Sequence, residues 1–101
     1  MTTLSKQIFI QNSMDLKDKT QNTVRPIYEI AKEISNDWSK INYGAKPYLN
    51  AMLTLNSIDD SYGYDSASSI IRYFLVNSQT WRGDTARNIK LELNDILKNE
   101  N

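Results

Sequence analysis

Chemistry in a protein needs groups that titrate, coordinate or attack, and this sequence offers few of them. The densest polar cluster is Asp59-Asp60-Ser61, followed by Gly63. Carboxylates near a glycine suggest a calcium loop, in which oxygen ligands wrap around a glycine at the sixth position. Placing Gly63 there puts the first ligand position on Ile58, whose side chain has no oxygen. The spacing therefore reads as a solvated turn. Acid–base work by the carboxylate pair would also need a cleft and a shifted pKa, and the sequence demonstrates neither. Histidine is absent, which removes the commonest general base and transition-metal ligand at neutral pH. Cysteine is absent too, so thiolate catalysis and the usual zinc and haem ligand sets are closed. Three scattered glycines cannot build a phosphate-binding loop. The expectation is no catalysis, no metal and no cofactor.

What remains is chemistry of contact. Most of the aromatic residues lie between Trp38 and Trp81, including Tyr43, Tyr48, Tyr62, Tyr64, Tyr73 and Phe74. A small aromatic-rich core whose hydroxyls reach water accounts for much of this. The sharper reading places Tyr62, Tyr64 and Trp81 beside a contact surface, because Tyr, Trp and Arg dominate binding hot spots. Arginine adds to it, with Arg72, Arg82 and Arg87 in the C-terminal third. On a helix, Arg87, Lys90 and Asn94 share one flank, with Leu91 beside them and outside the apolar stripe. Trp81, Arg82, Arg87, Lys90 and Leu91 are thus the candidate partner-binding residues, together with Tyr62 and Tyr64. The competing reading is ordinary solvated cations, some paired with Asp59, Asp60 or Asp84.

The elements that must position these residues are legible as periodicity. Residues 65–78 carry Ala67, Ile70, Ile71, Phe74 and Leu75 at helical spacing, and Tyr73 and Val76 widen the apolar arc. Such a helix is expected to be central and the most buried, with Asp65 as its N-cap. Before it, Pro26 opens a helix over about 26–39 with Ile27, Ile30, Ala31, Ile34 and Trp38 on one face. Gly44 closes the following turn by adopting a positive φ. Pro47 enters a helix over about 46–56, striped by Tyr48, Ala51, Met52 and Leu55 and widened by Leu49 and Leu53. Residues 56–64 read as a loop anchored by Ile58. After a short turn at residues 79–83, Asp84 caps a last helix over 84–98, with Ala86, Ile89, Leu93, Ile96 and Leu97 inward. The expected fold is all-α: a small compact bundle of about four helices forming one domain over 24–101.

Residues 1–23 are less regular. Leu4, Ile8, Phe9 and Ile10 form one apolar cluster, followed by an almost wholly polar stretch of mixed charge from Gln11 to Asn22. A flexible arm is expected, with a transient helix around Leu4–Met14, and a second reading has Gln7–Gln11 dock on the core or add as a strand. At 101 residues the chain suits one domain. Lys plus Arg equals Asp plus Glu at 12 each, a balance that argues against a dedicated phosphate or membrane-surface binder. No apolar run approaches a signal sequence or membrane span, and the lack of cysteine suits a reducing, cytoplasmic setting.

The run Asp37-Trp38, Tyr43-Gly44-Ala45, Pro47-Tyr48-Leu49, Ala51-Met52, Tyr62-Gly63, Asp65, Tyr73-Phe74-Leu75, Asn77, Trp81-Arg82-Gly83, Ala86-Arg87, Ile89-Lys90 and Glu92-Leu93 resembles a group of small uncharacterised proteins of phages, plasmids and other bacterial mobile elements. The likeness covers roughly residues 30–97 and leaves the arm outside. It implies a context rather than a site: accessory proteins of such elements often bind host machinery, regulate element genes or counter host defence. Together with the zero net charge, this makes a protein partner the leading expectation. The alternative is a nucleic-acid-binding regulator that uses the last two helices as a helix-turn-helix.

Overall fold

Proline has no amide hydrogen and holds φ near −65°, so a helix that begins just after it sacrifices no hydrogen bond. The computed structural model describes residues 24–99; the expected arm over 1–23 lies outside the described residues. Helix α1 (Ile27–Asp37) follows Pro26, and its buried face is Ile27, Ile30, Ala31 and Ile34. Its first amides are satisfied from a distant loop: Ile27 N–H donates to Asn56 O at 3.0 Å and Tyr28 N–H to Leu55 O at 2.9 Å. That pairing explains why α2 (Lys46–Met52) stops short of the expected residue 56. The carbonyls of Leu55 and Asn56 cap α1 instead of continuing a helix, and Thr54 Oγ1 donates to Ala51 O to close the turn. Leu53, expected to widen the apolar stripe, is consequently exposed.

Residues 56–66 contain more order than a plain loop. The Asp60 carboxylate accepts from the amides of Asn56 and Ser57, at 2.7 and 3.1 Å. A two-stranded antiparallel hairpin follows, β1 (Ser61–Tyr62) against β2 (Asp65–Ser66). Gly63, at φ +63, opens its two-residue turn, a conformation an L-residue seldom tolerates. Because Asp65 is held in this ladder, it does not cap the next helix. Ser66 does, its Oγ accepting from Ser69 N–H at 3.2 Å. Gly44 also differs from expectation: the positive-φ glycines are Gly63 and Gly83. Gly44 is needed for close approach, since a Cβ there would lie 2.7 Å from Asn77 Oδ1.

Helix α3 (Ala67–Val76) packs against α2 and against α4 (Asp84–Lys98), while α1 packs against α2 and α4. Among the described residues, four helices thus close a ring around one core, an all-α bundle as expected. Helix α3 is buried along Ala67, Ser68, Ile70, Ile71 and Phe74, yet Tyr73 and Val76 are exposed. It is therefore amphipathic rather than covered all round; Tyr73 stacks on Tyr48 at 5.4 Å on the outer surface. The last helix has the expected bounds, although its N-cap is Gly83 at φ +112 and not Asp84.

At the centre, Phe74 meets two indoles edge-on, Trp38 at 6.2 Å and Trp81 at 6.4 Å between ring centres. Phe74 is fully buried. Phe74→Ala is expected to lower unfolding free energy by about 3–5 kcal/mol in urea titrations, from lost transfer energy plus a cavity. A loss below about 1 kcal/mol would place Phe74 outside the core.

Candidate functional site

The residues proposed for contact divide into three groups in space. Trp81 leaves the surface altogether. It is 2% exposed and stacks on Trp38 with ring centres 5.7 Å apart and planes 13° from parallel. Its indole N–H donates to Asp37 Oδ2 at 2.9 Å. A buried indole needs such an acceptor, and Asp37 at the end of α1 supplies it. Trp81 is thus a core residue, correcting its assignment as a partner anchor. The indole takes the free space inside the ring of helices, which a sequence position between two turn residues does not reveal.

Lys90 turns inward behind it. Its ammonium donates to Ser78 O at 2.9 Å and Trp81 O at 2.7 Å, carbonyls of the turn between α3 and α4. It also lies 5.8 Å from the centre of the Trp81 ring. Burial pushes its pKa below the ordinary lysine value, and the Arg82 guanidinium adds to the depression. Lys90 is therefore a brace for the turn, not a free surface cation. A half-buried lysine bonded to carbonyls has the same letter as a solvated one, so periodicity alone could not separate them.

Arg82, Arg87 and Leu91 remain at the surface. Arg87 forms an exposed ion pair with Asp84, three residues earlier. Leu91 is 61% exposed and stands on the outer side of α4. It separates two hollows. One, beside Arg82 and Arg87, holds about 360 Å³. The other, of about 380 Å³, is lined by Val24, Ile58, Leu91, Glu92, Asp95 and Ile96. A third hollow shares Val24, Ile58 and Ile96 and continues this groove over the start of α1. Tyr62 and Tyr64 are exposed on the hairpin, but neither lines the hollows beside Leu91.

The groove was invisible to residue-type reasoning because its walls come from three separate segments. Val24 precedes the first helix, Ile58 sits in the loop, and Leu91 and Ile96 lie on α4. What holds Val24 there is its neighbour. Arg25 donates through Nε and Nη2 to both oxygens of Glu92, each at 2.9 Å, and through Nη2 to Glu33 at 2.6 Å. These Glu92 bonds, opposed by partial burial and aided by Glu33, raise the Arg25 pKa above its ordinary value. The fork ties the chain entry to α1 and α4 at once. Sequence spacing points to neither partner, since Glu33 lies 8 residues from Arg25 and Glu92 lies 67 away.

The remaining polar groups have structural duties. Asp60 holds loop amides, as described above, which leaves its carboxylate facing backbone rather than a cleft. Among the described residues, no three His, Cys, Asp or Glu side chains gather to hold a metal ion. Among those residues, too, no helix is long and apolar enough to cross a membrane. Comparisons with protein-family models, with curated proteins and with solved structures find no match to this chain.

Lys90→Met keeps the aliphatic stem but leaves the Trp81 carbonyl short of a donor. It should cost about 1–3 kcal/mol in urea unfolding, whereas Arg87→Met, which disturbs an exposed pair, should stay within about 0.5 kcal/mol. Equal effects of the two would mean that the ammonium does not brace the turn.

Proposed function

We propose that this chain is a non-enzymatic accessory protein of a bacterial mobile element that works in the cytoplasm by binding a protein partner. The observation that carries the reading is Leu91, a large apolar side chain 61% exposed between an apolar groove and an arginine-bearing hollow. An exposed leucine alone means little, but one that rims a groove lined by Val24, Ile58 and Ile96 has the form of a docking surface. The resemblance to mobile-element proteins supplies the biological setting. The lack of histidine and cysteine supports a role without catalysis.

Charge favours protein over nucleic acid as the partner. Helix α4 would be the recognition helix of a helix-turn-helix, yet its outer side carries Glu92 and Asp95 beside Leu91. Lys90, the cation that would reach a phosphate, is engaged with carbonyls. Arg82 and Arg87 are left as the cations of this face, and Arg87 has Asp84 beside it. A phosphate backbone would meet nearly as many negative as positive groups here. A protein segment with an apolar side chain for the groove meets no such conflict.

The test is to capture partners from the host with the full chain, identify them, and measure the purified pair. Leu91→Asp should weaken binding about tenfold or more, as for a hot-spot residue, while Tyr64→Ser leaves it unchanged. A captured nucleic acid with affinity falling steeply with salt and lost in Arg82→Glu plus Arg87→Glu would instead establish the regulator reading. Retention of every partner by a folded Leu91→Asp variant would remove α4 as the contact.

A further inference from the structure

We propose that the groove walled by Val24, Ile58, Leu91 and Ile96 is a docking site for the chain's own segment Leu4–Ile10. The inference rests on reading the outer side of α4 as a docking surface, and it names the occupant present before any partner arrives. The first support is apolar surface in need of cover. Val24 is 72% exposed and Leu91 61%, and both line the same groove.

The second support is where the remaining chain attaches. Residues 1–23 join the described structure at Val24, which is itself a wall of the groove. Arg25 is pinned to Glu92 of α4 and Glu33 of α1, so the junction cannot drift from that wall. Residues 11–23 form the tether between the apolar cluster and the groove. A chain of that length has a root-mean-square span of roughly 20 Å, enough to fold back over a groove at its own base. Tethering at such a length raises the local concentration of the segment to about the millimolar range. Weak apolar contacts then suffice for occupancy, and a partner can still displace the segment.

The third support is composition. Leu4, Ile8, Phe9 and Ile10 are the large apolar cluster of residues 1–23, and Lys6 lies inside it, with no Asp or Glu before Asp15. The groove has the opposite sign. Asp95 and Glu92 line it, and of these two Glu92 is the one paired with Arg25. A cationic apolar segment is thus matched in charge to an apolar groove with a carboxylate on its rim. The stretch from Gln11 to Asn22 holds Met14 and Leu16 singly among polar and charged residues, forms no apolar cluster to match, and reads as the connector.

The chain has no cysteine, so Gln7→Cys creates a single attachment site for a nitroxide label on the otherwise intact protein. In the full-length ¹⁵N-labelled chain, the amides of Ile58, Leu91, Asp95 and Ile96 are expected to lose most of their signal, with the oxidised label compared against the reduced one. Adding Leu91→Asp should restore those signals while the rest of the spectrum stays native. Signal loss spread evenly over the domain, or loss unaffected by Leu91→Asp in a folded protein, would overturn the proposal. A mixture of ¹⁵N-labelled unmodified chains with nitroxide-bearing unlabelled chains separates the remaining occupant. Loss at the groove in that mixture would assign it to a second copy and overturn docking within one chain. An open groove in this experiment with partner binding still dependent on Leu91 would refute self-docking alone, so the two readings fail separately.

Discussion

The fold depends on one buried indole. Trp81 lies against Trp38 and Phe74 and donates its N–H to Asp37, at the end of the first helix. Its backbone carbonyl accepts from Lys90 of the last helix. A single residue in a turn therefore joins α1, α3 and α4. Apolar contact supplies most of the energy, while the bond to Asp37 fixes the ring's orientation and the two hydrogen bonds together prevent polar groups from being stranded. Aromatic pairs with these offset and edge-on geometries add a little beyond their area. For a chain this short, whose burial is limited by its surface-to-volume ratio, such a multi-element contact matters more than it would in a larger domain.

That inward turn also decides where a partner can bind. With Trp81 buried and the half-buried Lys90 engaged with carbonyls, the surface near the α3–α4 turn keeps Arg82 and the paired Arg87 but loses its aromatic anchor. Leu91, one residue beyond Lys90, stays exposed on the outer side of α4. The result is a last helix whose inner face carries the core, whose flank braces a turn, and whose outer side borders an apolar groove. Arg25 completes the arrangement by clamping the chain entry to Glu92, so the groove is part of the folded frame rather than a loose edge.

Much of this was legible in the residue order, and the limits have physical causes. The 3.6-residue spacing of Ala86, Ile89, Leu93 and Ile96 located the last helix, Asp84–Lys98. The stripe from Ile27 to Ile34 located the first. Propensity failed at junctions, where distant backbone competes. Helix α2 ends early because the carbonyls of Leu55 and Asn56 serve α1. Asp65 yields its capping role to Ser66 because a hairpin holds it. The contact residues were harder still. Trp and Lys are at home both in a core and on a surface, and only the three-dimensional positions of Asp37, Ser78 and Trp38 decide between them. A groove walled by residues 24, 58, 91 and 96 leaves no local signature at all.

The central claim is that Trp81 belongs to the interior, and the chain allows a clean measurement of it. Its only tryptophans are Trp38 and Trp81, and both are buried. Acrylamide quenching of the native protein's tryptophan emission should therefore find short-wavelength emission and poor access to both indoles. The access should rise to that of free indole only on unfolding. A native component with long-wavelength emission that is freely quenched, and that disappears in Trp81→Phe, would return Trp81 to the surface and contradict the account.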